Sequence, residues 1–172
     1  MTDIVPTGKN GSNESIKTWQ DLAREFQEMA KAAKAGEEFM HLVAKTLNER
    51  KLYYNWVGFY LISKTDPNWL ELGPFIGAMT PHTRIAINQG ICGAAASTGK
   101  TIVVHDVSED PRYLACSIET KSEIVAPIRV RGKVVGELDI DSFIAAAFQK
   151  EDQHLVEYCA ALVGNVLEKH PD

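Results

Sequence analysis

The chain has 172 residues, enough for one domain with a full hydrophobic core. Hydrophobic residues make up 45% and charged residues 24%, an ordinary globular balance. The net charge of -5 is spread along the chain, which excludes the basic patch of a nucleic-acid binder and disfavours an anionic membrane surface as partner.

Met1 to Thr18 is polar and lacks the apolar stretch of a secretory signal. Apolar runs such as Trp56-Val57-Gly58-Phe59-Tyr60-Leu61-Ile62 are too short to span a bilayer. A cytoplasmic location is therefore expected. Residues 1–14, rich in Gly, Asn, Ser and Thr, read as a flexible N-terminal tail. Residues 15–172 read as a single domain.

Helical spacing begins at Ser15 and runs to Lys34, with Ile16, Trp19, Leu22, Ala23, Phe26 and Met29 on one stripe. Gly36 interrupts it, and a second helix follows over Glu37 to Lys51. Strands are predicted over Asn55 to Ser63 and Trp69 to Ile76, joined by the turn Asp66-Pro67-Asn68. A short strand covers Arg84 to Ile87. Gly90-Ile91-Cys92-Gly93 opens an Ala-rich helix that ends near Gly99, and Thr101 to Val104 is another strand. Asp106 to Lys121 is a long loop with a capped turn at its start. Glu123 to Val130 and Val134 to Ser142 form a hairpin around Arg131-Gly132-Lys133. Gln149 to Lys169 is a final amphipathic helix. The expected fold class is α/β (α+β): a central, mainly antiparallel six-stranded sheet with helices packed on its faces.

Side-chain alternation puts Trp56, Gly58 and Tyr60 on one face of their strand. Trp56 and Tyr60 are then about 13 Å apart along the strand, at roughly 3.3 Å per residue. Two readings are open: core-filling rings, or two aromatic walls with a notch at Gly58. The segment Glu137-Leu138-Asp139-Ile140-Asp141 puts three carboxylates on one strand face. They face solvent, or they line a pocket for a cationic group such as a ligand ammonium. Pairing Val130 with Val134 and counting outward sets Glu123 opposite Asp141, on the same face.

There are three cysteines, too few and too odd a number for a disulfide framework. Cys159 lies on a helical core stripe and reads as a small hydrophobe. Cys92 stands at a helix start, where a thiol pKa is lowered, and Cys116 lies in an accessible loop; spacing leaves both open as reactive thiols. The five histidines show no ligand spacing, and no Cys-x-x-Cys pair exists, so no metal is expected. With no Walker A loop, GxGxxG or Gly-x-Ser-x-Gly elbow, no cofactor is expected either.

Five blocks, Asn55-Trp56-Val57-Gly58-Phe59-Tyr60-Leu61, Leu72-Gly73-Pro74-Phe75, Gly90-Ile91-Cys92-Gly93, Ser122-Glu123-Ile124-Val125 and Leu138-Asp139-Ile140-Asp141, together resemble the GAF-type free methionine-(R)-sulfoxide reductases. The resemblance runs from about residue 20 to residue 167 and holds in order and spacing. It implies a GAF fold and thiol reduction of free methionine sulfoxide, with a sulfenic acid and a disulfide on the way. It implies Trp56 and Tyr60 as walls around the methylsulfinyl end. Glu123, Asp139 and Asp141 become the cluster that handles the ammonium and the sulfoxide oxygen. Cys116, seven residues before Glu123, matches the nucleophile, and Cys92 matches a second family cysteine. A homodimer and a thioredoxin-like reductant are also implied. One departure stands out: ten residues before Cys92, where family members with three active-site cysteines carry one, this chain has His82. The rival reading is a non-catalytic GAF module that binds a small molecule.

Overall fold

The computed structural model describes residues 18–115 and 117–171. The tail expected over residues 1–14 and the nucleophile candidate Cys116 lie outside the described residues.

Helix α1 spans Trp19–Ala32 and starts where Thr18 and Asp21 cap each other's backbone amides. Helix α2 spans Gly36–Arg50. Strands β1 (Trp56–Ile62) and β2 (Trp69–Ile76) follow, then β3 (Arg84–Ala86). Helix α3 (Gly90–Thr98) ends at Gly99 in the left-handed conformation that glycine adopts without steric cost. Strand β4 (Ile102–Val104), a 3-10 turn at Val107–Glu109 capped by Asp106, and strands β5 (Ser122–Val130) and β6 (Lys133–Ser142) complete the sheet. Helix α4 spans Lys150–Lys169.

The six strands form one sheet in the order β3-β2-β1-β6-β5-β4, every neighbouring pair antiparallel. Short hairpin connections β1–β2 and β5–β6 make this the natural pairing. The two sheet faces differ in what covers them. On one face Val57, Phe59, Ile124, Ala126, Ile128, Leu138 and Ile140 join the main core with α1, α2 and α4. Gly164 lets α4 approach closely, since a side chain there would collide with the Arg129 backbone carbonyl. On the other face Trp56, Tyr60 and Val125 pack with Ile91, Cys92, Ala95 and Ala96 of α3. None of the helices among the described residues is long and apolar enough to cross a membrane.

The β5–β6 register corrects the expected turn while keeping its consequence. Val130 pairs with Lys133, so the loop is the two-residue Arg131-Gly132, with both residues at positive φ (51° and 79°). That is the turn geometry whose twist suits a tight hairpin. A bulge between Ile128 and Arg129 then moves the pairing by one, and Glu123 faces Asp141. The shorter turn and the bulge offset each other. A second irregularity, between Gly58 and Tyr60, leaves Gly73 and Pro74 together opposite Phe59. Proline is accommodated at such a bulge because it has no N–H to place in the ladder.

Candidate active site

The site is a patch of three strands. Along the middle strand β6, the residues pointing to the α3 side are Glu137, Asp139 and Asp141. The register sets Asp141 between Trp56 and Glu123, Asp139 between Gly58 and Val125, and Glu137 between Tyr60 and Pro127. Sheet alternation alone brings these side chains onto one face. The solvated-face reading of the carboxylates is overturned: Glu137 is 0%, Asp139 3%, Asp141 3% and Glu123 5% exposed. Helix α3 and the loop after β4 cover them.

Burying four carboxyl groups together carries a large desolvation cost. Elsewhere the fold meets such a cost with partners. Buried Asp152 accepts hydrogen bonds from the Tyr53 and Tyr54 hydroxyls and the Gln149 amide, and pairs with Lys51 at 3.5 Å. The site carboxyls are treated differently. Both Glu137 oxygens, Asp139 Oδ1 and Asp141 Oδ1 have no hydrogen-bond partner among the described residues. Among the described residues, no lysine, arginine or histidine offsets Glu137, Asp139 or Asp141. Burial therefore raises all three above the usual carboxylate range; the Cys92 thiol offsets part of this at Glu137, and the Asp139 charge adds to it at Asp141.

Cys92 stands in the first turn of α3, and its thiol donates to Asp139 Oδ2 at 3.4 Å. The expectation that a helix N-terminus lowers its pKa is reversed here. Burial pushes the thiol well up, and the nearby Asp139, Glu137 and Glu123 carboxylates push it further. The helix end offers only a partial charge. Complete burial beside three carboxylates outweighs it. Cys159 is fully buried in the main core, as its position on the helical stripe implies.

Trp56 and Tyr60 both lie on the site face, and their rings converge to 6.3 Å between centroids. The notch expected at Gly58 is filled. The Trp56 indole folds over Gly58 and stacks on Phe75 at 5.6 Å. A Cβ at Gly58 would collide with the indole and stand 2.8 Å from Phe75 Cβ, so glycine is what lets the ring lie down. Phe75 is a wall residue that side-chain alternation on β1 did not reveal; its signal was its place opposite Gly58 across the hairpin.

Both rings hold the connection between β2 and β3. Trp56 Nε1 donates to the Ala78 carbonyl at 3.1 Å, and the Tyr60 hydroxyl donates to the His82 carbonyl at 2.7 Å. The His82 amide donates to Thr80 Oγ1, and the His82 ring nitrogen Nε2 lies 3.1 Å from the Ala115 carbonyl. His82 thus ties this connection to the loop that carries Cys116. Leu114, the residue before Ala115 in that loop, lines a cavity of about 10 Å³ together with Ile85, Gly90, Ile91, Cys92, Glu123 and Asp139. Such a space matches about one water molecule. A larger ligand enters only when the indole or these loops move.

The structure thus brings Trp56, Tyr60, Cys92, Glu123, Asp139 and Asp141 to one face and adds Glu137 to them. Comparison with known proteins gives the same direction. A GAF domain family model matches residues 36–167. The chain is 37% identical over 158 residues to Protein YtsP of Bacillus subtilis, covering 88% of this chain and 92% of that one. It is 35% identical over 153 residues to the free methionine-R-sulfoxide reductase of Escherichia coli, covering 87% of this chain and 88% of that one. The crystal structure of free methionine-R-sulfoxide reductase from Neisseria meningitidis in complex with its substrate superposes with a TM-score of 0.82 at 31% identity, over 87% of this chain and 88% of that one. With a GAF family model matched over residues 36–167, the matching sheet and this similarity across nearly its whole length, the chain belongs to the GAF-domain free methionine-R-sulfoxide reductase family.

Proposed function

We propose that this protein reduces free L-methionine-(R)-sulfoxide to methionine, with Cys116 as the nucleophile. The observation that carries the reading is the burial of Glu137, Asp139 and Asp141 with no cationic partner among the described residues. An α-ammonium supplies the charge that Glu137, Asp139 and Asp141 lack, and a charge-assisted hydrogen bond inside a low-dielectric site is strong. A peptide-bound methionine sulfoxide has a neutral amide there instead. The walls of Trp56, Tyr60 and Phe75 suit the apolar methylsulfinyl end.

The chemistry follows from the same groups. The Cys116 thiolate attacks the sulfoxide sulfur. The sulfoxide oxygen is a poor leaving group and takes a proton from a carboxyl of the Glu123, Asp139 and Asp141 cluster. Burial raises Asp139 and Asp141, with the Asp139 charge adding to it at Asp141, and so favours the protonated form that can donate. The oxygen passes to Cys116, which is oxidised to a sulfenic acid while the substrate sulfur is reduced by two electrons and methionine leaves. A second thiol then condenses with the sulfenic acid; a disulfide forms and water is released. With His82 at the position of the third family cysteine, Cys92 is the partner we assign to that step. A thioredoxin-like dithiol reopens the disulfide by exchange. The working form is a homodimer of cytoplasmic chains, each a single domain over residues 15–172.

The high thiol pKa of Cys92 fits a resolving role better than a nucleophilic one, because the thiolate is the attacking species.

The test uses reduced protein mixed with free methionine sulfoxide and no added reductant. About one methionine per chain is expected, followed by a Cys92–Cys116 disulfide in peptide mass spectra. Binding without methionine release overturns the reductase reading in favour of a ligand-binding module. Methionine release with a persistent sulfenic acid and no disulfide rejects Cys92 as the resolving thiol.

A further inference from the structure

We infer that the reduced protein holds a divalent zinc ion between Cys92, Glu123 and Asp139. One ligand atom of each residue, the Cys92 sulfur and a carboxylate oxygen from Glu123 and from Asp139, lies within 4.8 Å of the others, and all three residues are buried. In a tetrahedral zinc site with bonds of about 2.0–2.3 Å, neighbouring ligand atoms stand about 3.3–3.8 Å apart. A contraction of about 1 Å among side chains already converging closes the site. The donor set suits the ion: one thiolate sulfur and carboxylate oxygens are ligands that zinc takes, whereas magnesium and calcium take oxygen alone.

Two further observations point to a ligand there. Asp139 Oδ1 is buried with no hydrogen-bond partner among the described residues, on a residue only 3% exposed. The cavity that Cys92, Glu123 and Asp139 line has a volume of about 10 Å³. That is room for one small ion or one water, and far below what an amino acid needs. The closed site is thus shaped for a compact cation. With three protein ligands, the fourth position of the ion is left to a water.

Spacing along the chain gives no hint of this site, because its ligands come from α3, β5 and β6. Zinc there competes with the ammonium for the same carboxylates and occupies the Cys92 sulfur. The site exists only while Cys92 is reduced, since a disulfide sulfur is no longer an anionic ligand. The inference does not rest on the reductase reading, because the ion can be followed with no sulfoxide present.

Cobalt(II) reports the site by its absorption. Anaerobic titration of the reduced full chain is expected to give a cobalt–thiolate charge-transfer band that saturates at one ion per chain and disappears when zinc is added. Cys92→Ser is expected to lose the band, while Cys116→Ser and Cys159→Ser keep it. Asp139→Asn and Glu123→Gln are each expected to weaken cobalt binding by about 10-fold or more. Circular dichroism of each variant separates loss of the ligand from loss of the fold. If Cys92→Ser misfolds, the two carboxylate variants decide the question. The absence of a thiolate band in the reduced wild-type chain, its survival in Cys92→Ser, or its loss in Cys116→Ser with Cys92 intact overturns the assignment. Unchanged affinity in both carboxylate variants overturns it as well.

Discussion

Replacing Cys116 by Ser is expected to lower turnover of free methionine sulfoxide by at least about 10³-fold. A serine hydroxyl is a far weaker nucleophile at neutral pH than a thiol. Its oxygen also cannot take up the sulfoxide oxygen in a step equivalent to forming a sulfenic acid. The rest of the site does not depend on this sulfur. The carboxyl floor is set by the β1–β6–β5 register and the walls by Trp56, Tyr60 and Phe75. Substrate affinity in Cys116→Ser should therefore stay within about 3-fold of wild type, a difference under 1 kcal/mol. Steady-state rates and equilibrium binding measured on the same preparation check both halves. Full activity in Cys116→Ser refutes the nucleophile.

Asp139→Asn and Asp141→Asn are expected to move activity and stability in opposite directions. Losing a buried charge partner for the ammonium costs about 2–5 kcal/mol, so kcat/KM for the free amino acid should fall by at least about 30-fold. Stability follows from the proton balance. Burial raises these carboxyls in the folded protein above their value in the unfolded chain. The folded state then binds more protons than the unfolded state once pH passes the ordinary carboxylate range. Stability is fully present below that range and is lost as pH rises towards the raised folded value. The wild-type Tm should therefore fall between pH 5 and pH 8 in the absence of ligand. Each Asn variant removes one such group and should show a shallower fall, with a higher Tm than wild type at pH 8. Thermal melts across that pH range give the slopes. A wild-type Tm that rises with pH, or variants with a steeper fall, contradicts the account of these carboxyls. Function held at the expense of stability is common at active sites.

Much of this site was legible because strands carry information with a period of two. Alternation put Glu137, Asp139 and Asp141 on one face of β6, and Trp56 and Tyr60 on one face of β1. The Glu123–Asp141 pairing came out as expected although its premise was wrong by one residue. The two-residue turn and the bulge at Ile128 and Arg129 shifted the register in opposite senses. What alternation does not say is what lies above a face. Burial of the carboxyls depends on α3 crossing over them, a tertiary contact with no local signature. The Trp56 indole over Gly58 is a rotamer outcome, decided by Phe75 on the neighbouring strand and by the Ala78 carbonyl. The Cys92 thiol was misjudged for the same reason: its place at a helix start is local, while its pKa is raised first by burial and then by three carboxylates that arrive from β5 and β6. His82 likewise stood out only as a residue in place of a family cysteine, and only the folded chain shows its ring against the Ala115 carbonyl in the loop of Cys116.

The proposed function turns on recognition of a free ammonium by the buried carboxyls. Its most direct measurement compares kcat/KM for free L-methionine-(R)-sulfoxide with that for the same molecule acetylated on its nitrogen. The acetyl group removes the positive charge and leaves the sulfoxide untouched. The account predicts a preference of at least about 30-fold for the free amino acid, the equivalent of about 2 kcal/mol of lost charge pairing. Equal rates with the two substrates would contradict it.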